Sequence, residues 1–234
     1  MIHFHEQGKK MYLQREGGTI FPKHLHNTTM DTPVNILAIV GSYRKGGIIE
    51  RAVDEILASA RDAGAVTRKI TLLDKRLVFC TNCRSCTQVA GENYGVCILE
   101  DDMAGLLQEV ERADALVLAS PMNAGTVTAL MKTFIERLVC TAYWPWGSPA
   151  PKARRPGKSK RALLVASSAA PGMIARLTGD VTKRLKSAAT MLGAETVGTL
   201  FIGLAAQQQH QELNKKTIHK ARKLGRKLAA GKAA

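Results

Sequence analysis

The sequence predicts an open α/β domain built on a five-stranded parallel sheet. Three observations carry that reading. Short, almost wholly apolar runs rich in β-branched residues recur along the chain, amphipathic stretches of helical period separate them, and glycine-bearing loops follow several of the runs. Runs that are apolar on both faces suit parallel strands covered by helices, and the alternation supplies the crossovers such a sheet needs.

Residues 1–33 show no sustained period and read as an N-terminal arm. His3, His5, His24 and His26 lie there at spacings that fit no familiar metal-ligand pattern. The domain proper is expected over 34–234. Its first strand is 34–40 (VNILAIV), followed by a glycine loop and a helix with Ile49, Val53, Ile56, Leu57 and Ala60 on one face. Gly64 closes that helix, and 66–73 reads as the second strand. After a cysteine-bearing segment, Asp101 or Asp102 caps a helix carrying Leu106, Leu107 and Val110. The third strand is 115–119 (ALVLA), then a Pro/Gly loop and a helix through Leu130, Phe134, Ile135 and Leu138. A Trp/Pro/Gly-rich basic loop (142–160) leads to the fourth strand at 162–167. One helix is expected up to about Leu192, with Gly193 as its C-cap. The fifth strand is 196–202, and a basic helix over about 208–230 turns Leu213, Ile218, Ala221, Leu224 and Leu228 to one side. Right-handed crossovers and five strands favour a flavodoxin-like three-layer sandwich in the order 2-1-3-4-5.

At 234 residues, with 45% hydrophobic and 23% charged residues, the chain is long enough for one well-buried core and too apolar for global disorder. Its apolar runs fall short of the roughly 18 residues a membrane span needs, and the start of the chain has no apolar secretory core. Five closely spaced cysteines without such a leader point to a reducing cytoplasm and to redox or metal roles rather than structural disulfides.

The net charge of +15 suggests an anionic partner until its distribution is read. Residues 151–161 and 211–234 hold fourteen of the 34 basic residues and one of the 19 acidic ones, which leaves +2 for the rest. With only 5% aromatic residues there is little material for base stacking, so these stretches read as a solvated loop and helix face rather than a nucleic-acid surface.

In a doubly wound sheet the ligand crevice lies at the carboxyl ends of the strands. The loop after the first strand runs Gly41, Ser42, Tyr43, Arg44, Lys45, Gly46, Gly47 into a helix. Glycines allow close backbone approach, helix N-terminal amides attract an anion, and Ser42 and Arg44 add a hydroxyl and a guanidinium fork. This matches neither the G-x-G-x-x-G fingerprint nor a P-loop, so a phosphate site of another kind is expected.

Strand, Gly-Ser-x-Arg-x-x-Gly, helix, and then Ser120-Pro121-Met122-Asn123-Ala124-Gly125 before Lys132-Thr133-Phe134-Ile135-Glu136-Arg137, resembles the NAD(P)H-dependent FMN reductases of the flavodoxin-like proteins. The resemblance spans about 34–205. It implies that Gly41, Ser42, Arg44, Lys45, Gly46 and Gly47 hold the FMN phosphate, and that Pro121, Met122, Asn123, Ala124 and Gly125, with Ser168 and Ala169, border the isoalloxazine ring. Where relatives carry a small polar pair, this chain has Ile48-Ile49, which puts more of the phosphate on backbone, Ser42 and Arg44. At Asn123 many members have an aromatic residue. The implied reaction passes hydride from NAD(P)H to flavin and electrons onward to a quinone, a free flavin or another small-molecule acceptor. No acid–base dyad is required, because the cofactor carries the chemistry. A homodimer or homotetramer is also implied.

Cys80-x2-Cys83-x2-Cys86, with Cys97 after ten intervening residues, resembles the motif of iron–sulfur flavoproteins in the same broad family. Three readings stay open here: a [4Fe–4S] cluster on Cys80, Cys83, Cys86 and Cys97, a structural zinc, or free redox-active thiols. The first would make the chain an electron carrier between proteins; a non-enzymatic redox or nucleic-acid-associated module using the basic tail is a further alternative. Cys140 stands apart as a buried small residue. Tyr143-Trp144-Pro145-Trp146 would cover the flavin, face a partner subunit, or pack on itself.

Overall fold

The structure is a computed structural model that describes residues 32–231; the four N-terminal histidines lie outside the described residues. In chain order the elements are β1 (Asn35–Val40), α1 (Ile48–Asp62), β2 (Val66–Thr71), α2 (Met103–Arg112), β3 (Ala115–Pro121), α3 (Ala129–Arg137), β4 (Ala142–Tyr143), β5 (Lys152–Ala153), β6 (Lys160–Ser167), α4 (Gly172–Thr178), α5 (Val181–Met191), β7 (Ala194–Ile202) and α6 (Lys215–Ala229). Five strands run parallel in the order β2-β1-β3-β6-β7. With the short β4–β5 hairpin set aside, this is the flavodoxin-like order the sequence predicts.

Alternation along the strands divides the core into two layers. Leu37, Ile39, Leu116, Leu118 and Leu164 face α2, α3 and α5, while Ile36, Ala38, Val40, Val117, Leu163 and Val165 face α1 and α6. Each such aliphatic side chain stabilises the fold by about 1.5–3 kcal/mol when fully buried. The register sets Val40 beside Ala119 and Ala119 beside Val165, so the carboxyl ends of β1, β3 and β6 lie level and adjacent. That alignment positions the loops that follow.

Gly64 and Gly193 sit at positive φ just past α1 and α5, as the sequence predicts. The expected single helix before β7 is instead two, α4 and α5. The chain breaks at Gly179 and Asp180, where the Asp180 amide leaves the helical ladder to donate to the Gly125 carbonyl at 2.8 Å. The basic loop is not simply solvated either. Arg154 is 8% exposed and donates to three carbonyls, those of Cys86, Gly91 and Cys140, at 3.0–3.1 Å. Charge counting hides such a residue, because a buried guanidinium can be satisfied by backbone oxygens with no acid beside it.

The basic C-terminal helix α6 is capped by Asn214, whose side chain accepts from the Thr217 amide at 2.8 Å. It packs on α1 through Ala221, Gly225 and Leu228 and turns its lysines and arginines outward. Lys227 donates to the Val197 carbonyl at 3.1 Å, beside the irregularity where β7 slips register against β6. Helix α6 is therefore part of the domain. No helix among the described residues is long and apolar enough to cross a membrane.

At the α1–α6 contact a Cβ on Gly225 would lie 2.2 Å from both the Ile56 carbonyl oxygen and the Ser59 hydroxyl. Gly225→Val is expected to destabilise by roughly 2 kcal/mol or more, because backbone cannot yield as a side chain does. Urea unfolding measures the change, and an unchanged midpoint would contradict the close packing.

Candidate functional site

Three loops meet at the level strand ends: 41–47 after β1, 121–128 after β3, and 168–171 after β6. In the first, the Gly41 amide donates to the Ala119 carbonyl at 2.8 Å, and buried Ser42 accepts from the Arg44 amide at 3.2 Å. Helix α1 then starts after its N-cap Gly47, with no side-chain cap. The first-turn amides of Ile48, Ile49 and Glu50 have no partner within the helix. Among the described residues, the amides of Ser42, Tyr43 and Lys45 make no backbone or side-chain hydrogen bond. Arg44 is exposed, with no carboxylate partner among the described residues. A helix end of this kind attracts an anion through both its dipole and its free amides.

Two of the sequence-predicted residues are already engaged. Lys45 pairs with Asp74 at 2.6 Å, and the Gly46 amide donates to the Glu50 carboxylate. Glu50 is in turn neutralised by Lys69 at 2.9 Å. For Glu50, burial works against the charge, but Lys69 and the Gly46 amide outweigh it and hold the carboxyl below its usual range.

The second loop folds on itself. Asn123 and Thr126 exchange backbone hydrogen bonds at 2.9 and 3.0 Å around Ala124 and Gly125, both left-handed with φ of 48° and 81°. An alanine in this region stores strain of about 1 kcal/mol or more, which persists only where the surroundings over-determine the turn. Here they do: the Met122 amide donates to the Ser167 carbonyl at 2.7 Å, and Gly125 accepts from Asp180. In the third loop, buried Ser168 accepts from the Ala170 amide at 3.0 Å, and Ala169 is exposed.

Thr128 links the first two loops. It caps α3 by accepting from the Met131 amide at 3.2 Å, donates its hydroxyl to the Gly41 carbonyl at 2.7 Å, and gives its amide to the Ser120 hydroxyl at 3.1 Å. The Tyr43 hydroxyl accepts from the Ala129 amide at 3.2 Å. Neither Thr128 nor Tyr43 stands out in the sequence as a site residue. A threonine directly before a helical stretch was the available signal for Thr128.

The cysteine segment between β2 and α2 is pinned from below by Arg137. This arginine, 3% exposed, pairs with the fully buried Asp101 carboxylate, donates to the Val78 carbonyl at 2.8 Å and points a second nitrogen at the Cys97 sulfur at 3.6 Å. Asp101 also accepts from the Val78 and Met103 amides, so it holds the start of α2 through Met103 while Asp102 makes no side-chain cap. From the side, the Arg84 guanidinium lies between the Trp144 and Trp146 rings at 3.8 and 4.3 Å, which packs the tryptophan loop onto the cysteine segment.

Cys83 is exposed, and hydrogen bonds from Ser85 and Thr81 lower its thiol pKa. Burial raises Cys86, with the neighbouring Cys97, Cys80 and Cys83 adding to the effect, and it pushes Cys140 up to about 12. Cys140 is a buried residue, as the sequence reading expects. Among the described residues no three His, Cys, Asp or Glu side chains gather closely enough to hold a metal ion. In this conformation the four motif thiols do not form the set that a cluster or zinc needs.

Comparison with known proteins follows the same lines. The family described as "NADPH-dependent FMN reductase" matches residues 34–209. An "Iron-sulfur flavoprotein" of Archaeoglobus fulgidus is 36% identical over 109 residues, 47% of each chain, and one of Methanosarcina thermophila is 26% identical over 106 residues, 45% of this chain and 53% of that one. The chain thus aligns with about half the length of these curated relatives. Among solved structures, an NAD(P)H:quinone oxidoreductase from Methanothermobacter marburgensis superposes with a TM-score of 0.64 at 16% identity, covering 84% of this chain and 100% of that one. An azoreductase from Bacillus anthracis gives 0.63 at 19%, covering 83% and 99%. At these identities the likeness is one of fold.

The Arg137–Asp101 pair generates a pH prediction. Burial alone would raise the Asp101 carboxyl, but Arg137 and the two amides outweigh it and hold it below the usual carboxylate range. A carboxyl depressed in the native state contributes stability above its unfolded pKa of about 4, and that contribution is lost as pH falls through the native value. Arg137→Met is expected to cost roughly 3–5 kcal/mol at neutral pH, because it strands a buried charge. The stability gap between wild type and Asp101→Asn should narrow as pH falls below about 4. A gap that is constant with pH would contradict the ionised pair.

Proposed function

The chain belongs to the NADPH-dependent FMN reductase family, and from that membership we propose that it binds FMN across the three loops and uses NAD(P)H to reduce a small-molecule acceptor of the quinone, azo or flavin type. The observation that carries this reading is the donor set of the first loop: the start of a fifteen-residue helix without a side-chain cap, with the amides of Ser42, Tyr43 and Lys45 and the Arg44 side chain unpartnered among the described residues. Together they suit a phosphate dianion. FMN, when bound, supplies the electron transfer between nicotinamide and acceptor.

The protein's part is binding and orientation. Ser42, Arg44 and the α1 amides hold the phosphate. Gly41, Gly46 and Gly47 keep the loop close to it, with Gly46 and Lys45 acting through geometry because their polar groups are engaged by Glu50 and Asp74. Pro121 to Gly125 offer backbone groups without bulk beside the ring, on a turn held from Ser167 and Asp180. Ser168 and Ala169 close the third side. The exposed Tyr43 ring, tethered to α3 through its hydroxyl, flanks the opening.

The exposed apolar side chains of Met173, Ile174 and Leu177 on α4, which follows the third loop, support a homodimer or homotetramer. A cytoplasmic location accords with free cysteines. The cysteine spacing and the names of the curated relatives support a second reading as an iron–sulfur electron carrier.

Arg44→Ala is expected to remove a charge-assisted contact of about 1.5–3 kcal/mol and so weaken FMN about 10–150-fold, with riboflavin much less affected. Equal losses for both ligands would take the phosphate away from this loop. An anaerobic spectrum of wild type with flavin bands that bleach on adding NADPH fits the first reading. Less than about 0.2 iron per chain removes the second, since a closed site loads near-stoichiometrically.

A further inference from the structure

Every fully exposed residue of helix α6 is lysine, arginine or histidine, and none of its fifteen residues is acidic. The apolar side of the same helix is buried on α1, so the charges share one outward face about 22 Å long. The fold uses few of them. Arg222 pairs with Glu55 at 2.7 Å, and Lys227 donates to the Val197 carbonyl at 3.1 Å. Among the described residues, Lys215, Lys216, Lys220, Lys223 and Arg226 make no ion pair and no side-chain hydrogen bond.

Several of these charges also oppose their own helix. Lys215 and Lys216 sit in the first turn, where the helix dipole disfavours cations. Lys216, Lys220 and Lys223 follow at spacings of four and three, which sets like charges side by side. A polyanion laid along the face would relieve both conflicts.

We propose that the outer face of α6 binds the phosphate backbone of duplex DNA, independent of base sequence. The chemistry of the face selects among polyanions. No large apolar or aromatic side chain of α6 is exposed, so the face lacks the anchors on which a specific protein partner depends. A membrane-surface helix inserts its apolar side, and here that side is covered by α1. A single strand needs aromatic platforms for its bases, which this face also lacks. A duplex needs cations alone, and about 22 Å of B-form DNA presents roughly 13 phosphates. Its major groove, about 12 Å wide, admits the edge of a helix that the narrow groove of A-form RNA excludes. The sparse aromatics that weigh against base stacking do not bear on backbone contact.

The test is fluorescence anisotropy of a labelled DNA duplex of about 20 base pairs, titrated with the full chain between about 50 and 200 mM NaCl. Five cations on phosphates predict that log affinity falls against log salt with a slope of magnitude about 4.5, a loss of roughly 500-fold across that range. Lys216→Gln, Lys220→Gln and Lys223→Gln together should lower that magnitude by about 2.7, while arginine at the same three positions retains it. Lys152→Gln, Lys183→Gln and Lys186→Gln, exposed on β5 and α5, remove the same charge elsewhere and should leave the slope unchanged. A DNA single strand, an RNA duplex, vesicles rich in phosphatidylserine and polyglutamate should each bind at least about tenfold more weakly. No binding to the duplex, an unchanged slope in the α6 glutamine variant, an equal loss in the β5–α5 variant, or equal or tighter binding to any comparison polyanion would each overturn the proposal.

Discussion

Thr128 gives its hydroxyl to the Gly41 carbonyl, and α3 comes so close at that point that a Cβ on Gly41 would meet the Met131 Cβ at 2.7 Å. The first two loops are locked together by this contact. With Gly41 also donating to Ala119, the turn after β1 is fixed to β3 from both sides. Under the proposed reading the first loop holds the phosphate and the second borders the ring, so the two must keep a constant separation. Here that separation rests on a glycine that lets the helix approach and on a hydroxyl that satisfies the backbone it approaches.

A second layer of order comes from buried arginines. Arg137 reaches from α3 to Val78, Asp101 and Cys97, and Arg154 gathers the carbonyls of Cys86, Gly91 and Cys140. These two side chains replace a hydrophobic core under a long segment with little regular structure. Because Thr128 caps α3 and Arg137 ends it, the same helix that braces the first two loops also braces the cysteines. Any change that shifts α3 therefore reaches both regions.

The strands, their order and the first loop were legible because their signals are local: β-branched runs, a glycine-serine turn and helical spacing of apolar residues. What stayed hidden depends on distant partners. Arg154 looks like one more charge in a basic run, and only the carbonyls of residues far along the chain make it structural. The break between α4 and α5 answers to Gly125, more than fifty residues earlier, and nothing at Gly179 or Asp180 alone marks it. Likewise, Gly46 and Lys45 read as phosphate ligands from the loop sequence, while Glu50 and Asp74 draw on their polar groups in space. The cysteine spacing left a cluster, a zinc and free thiols open, and Arg137, burial and nearby hydroxyls give the motif thiols different surroundings that spacing does not show.

The central claim is that one FMN spans the three loops at the carboxyl edge of the sheet. Backbone hydrogen exchange with and without FMN tests it most directly. Slowed exchange concentrated in 42–50, 122–128 and 168–171, with 80–97 unchanged, is the predicted result. Slowing confined to the cysteine segment, or absent from the start of α1, would contradict it.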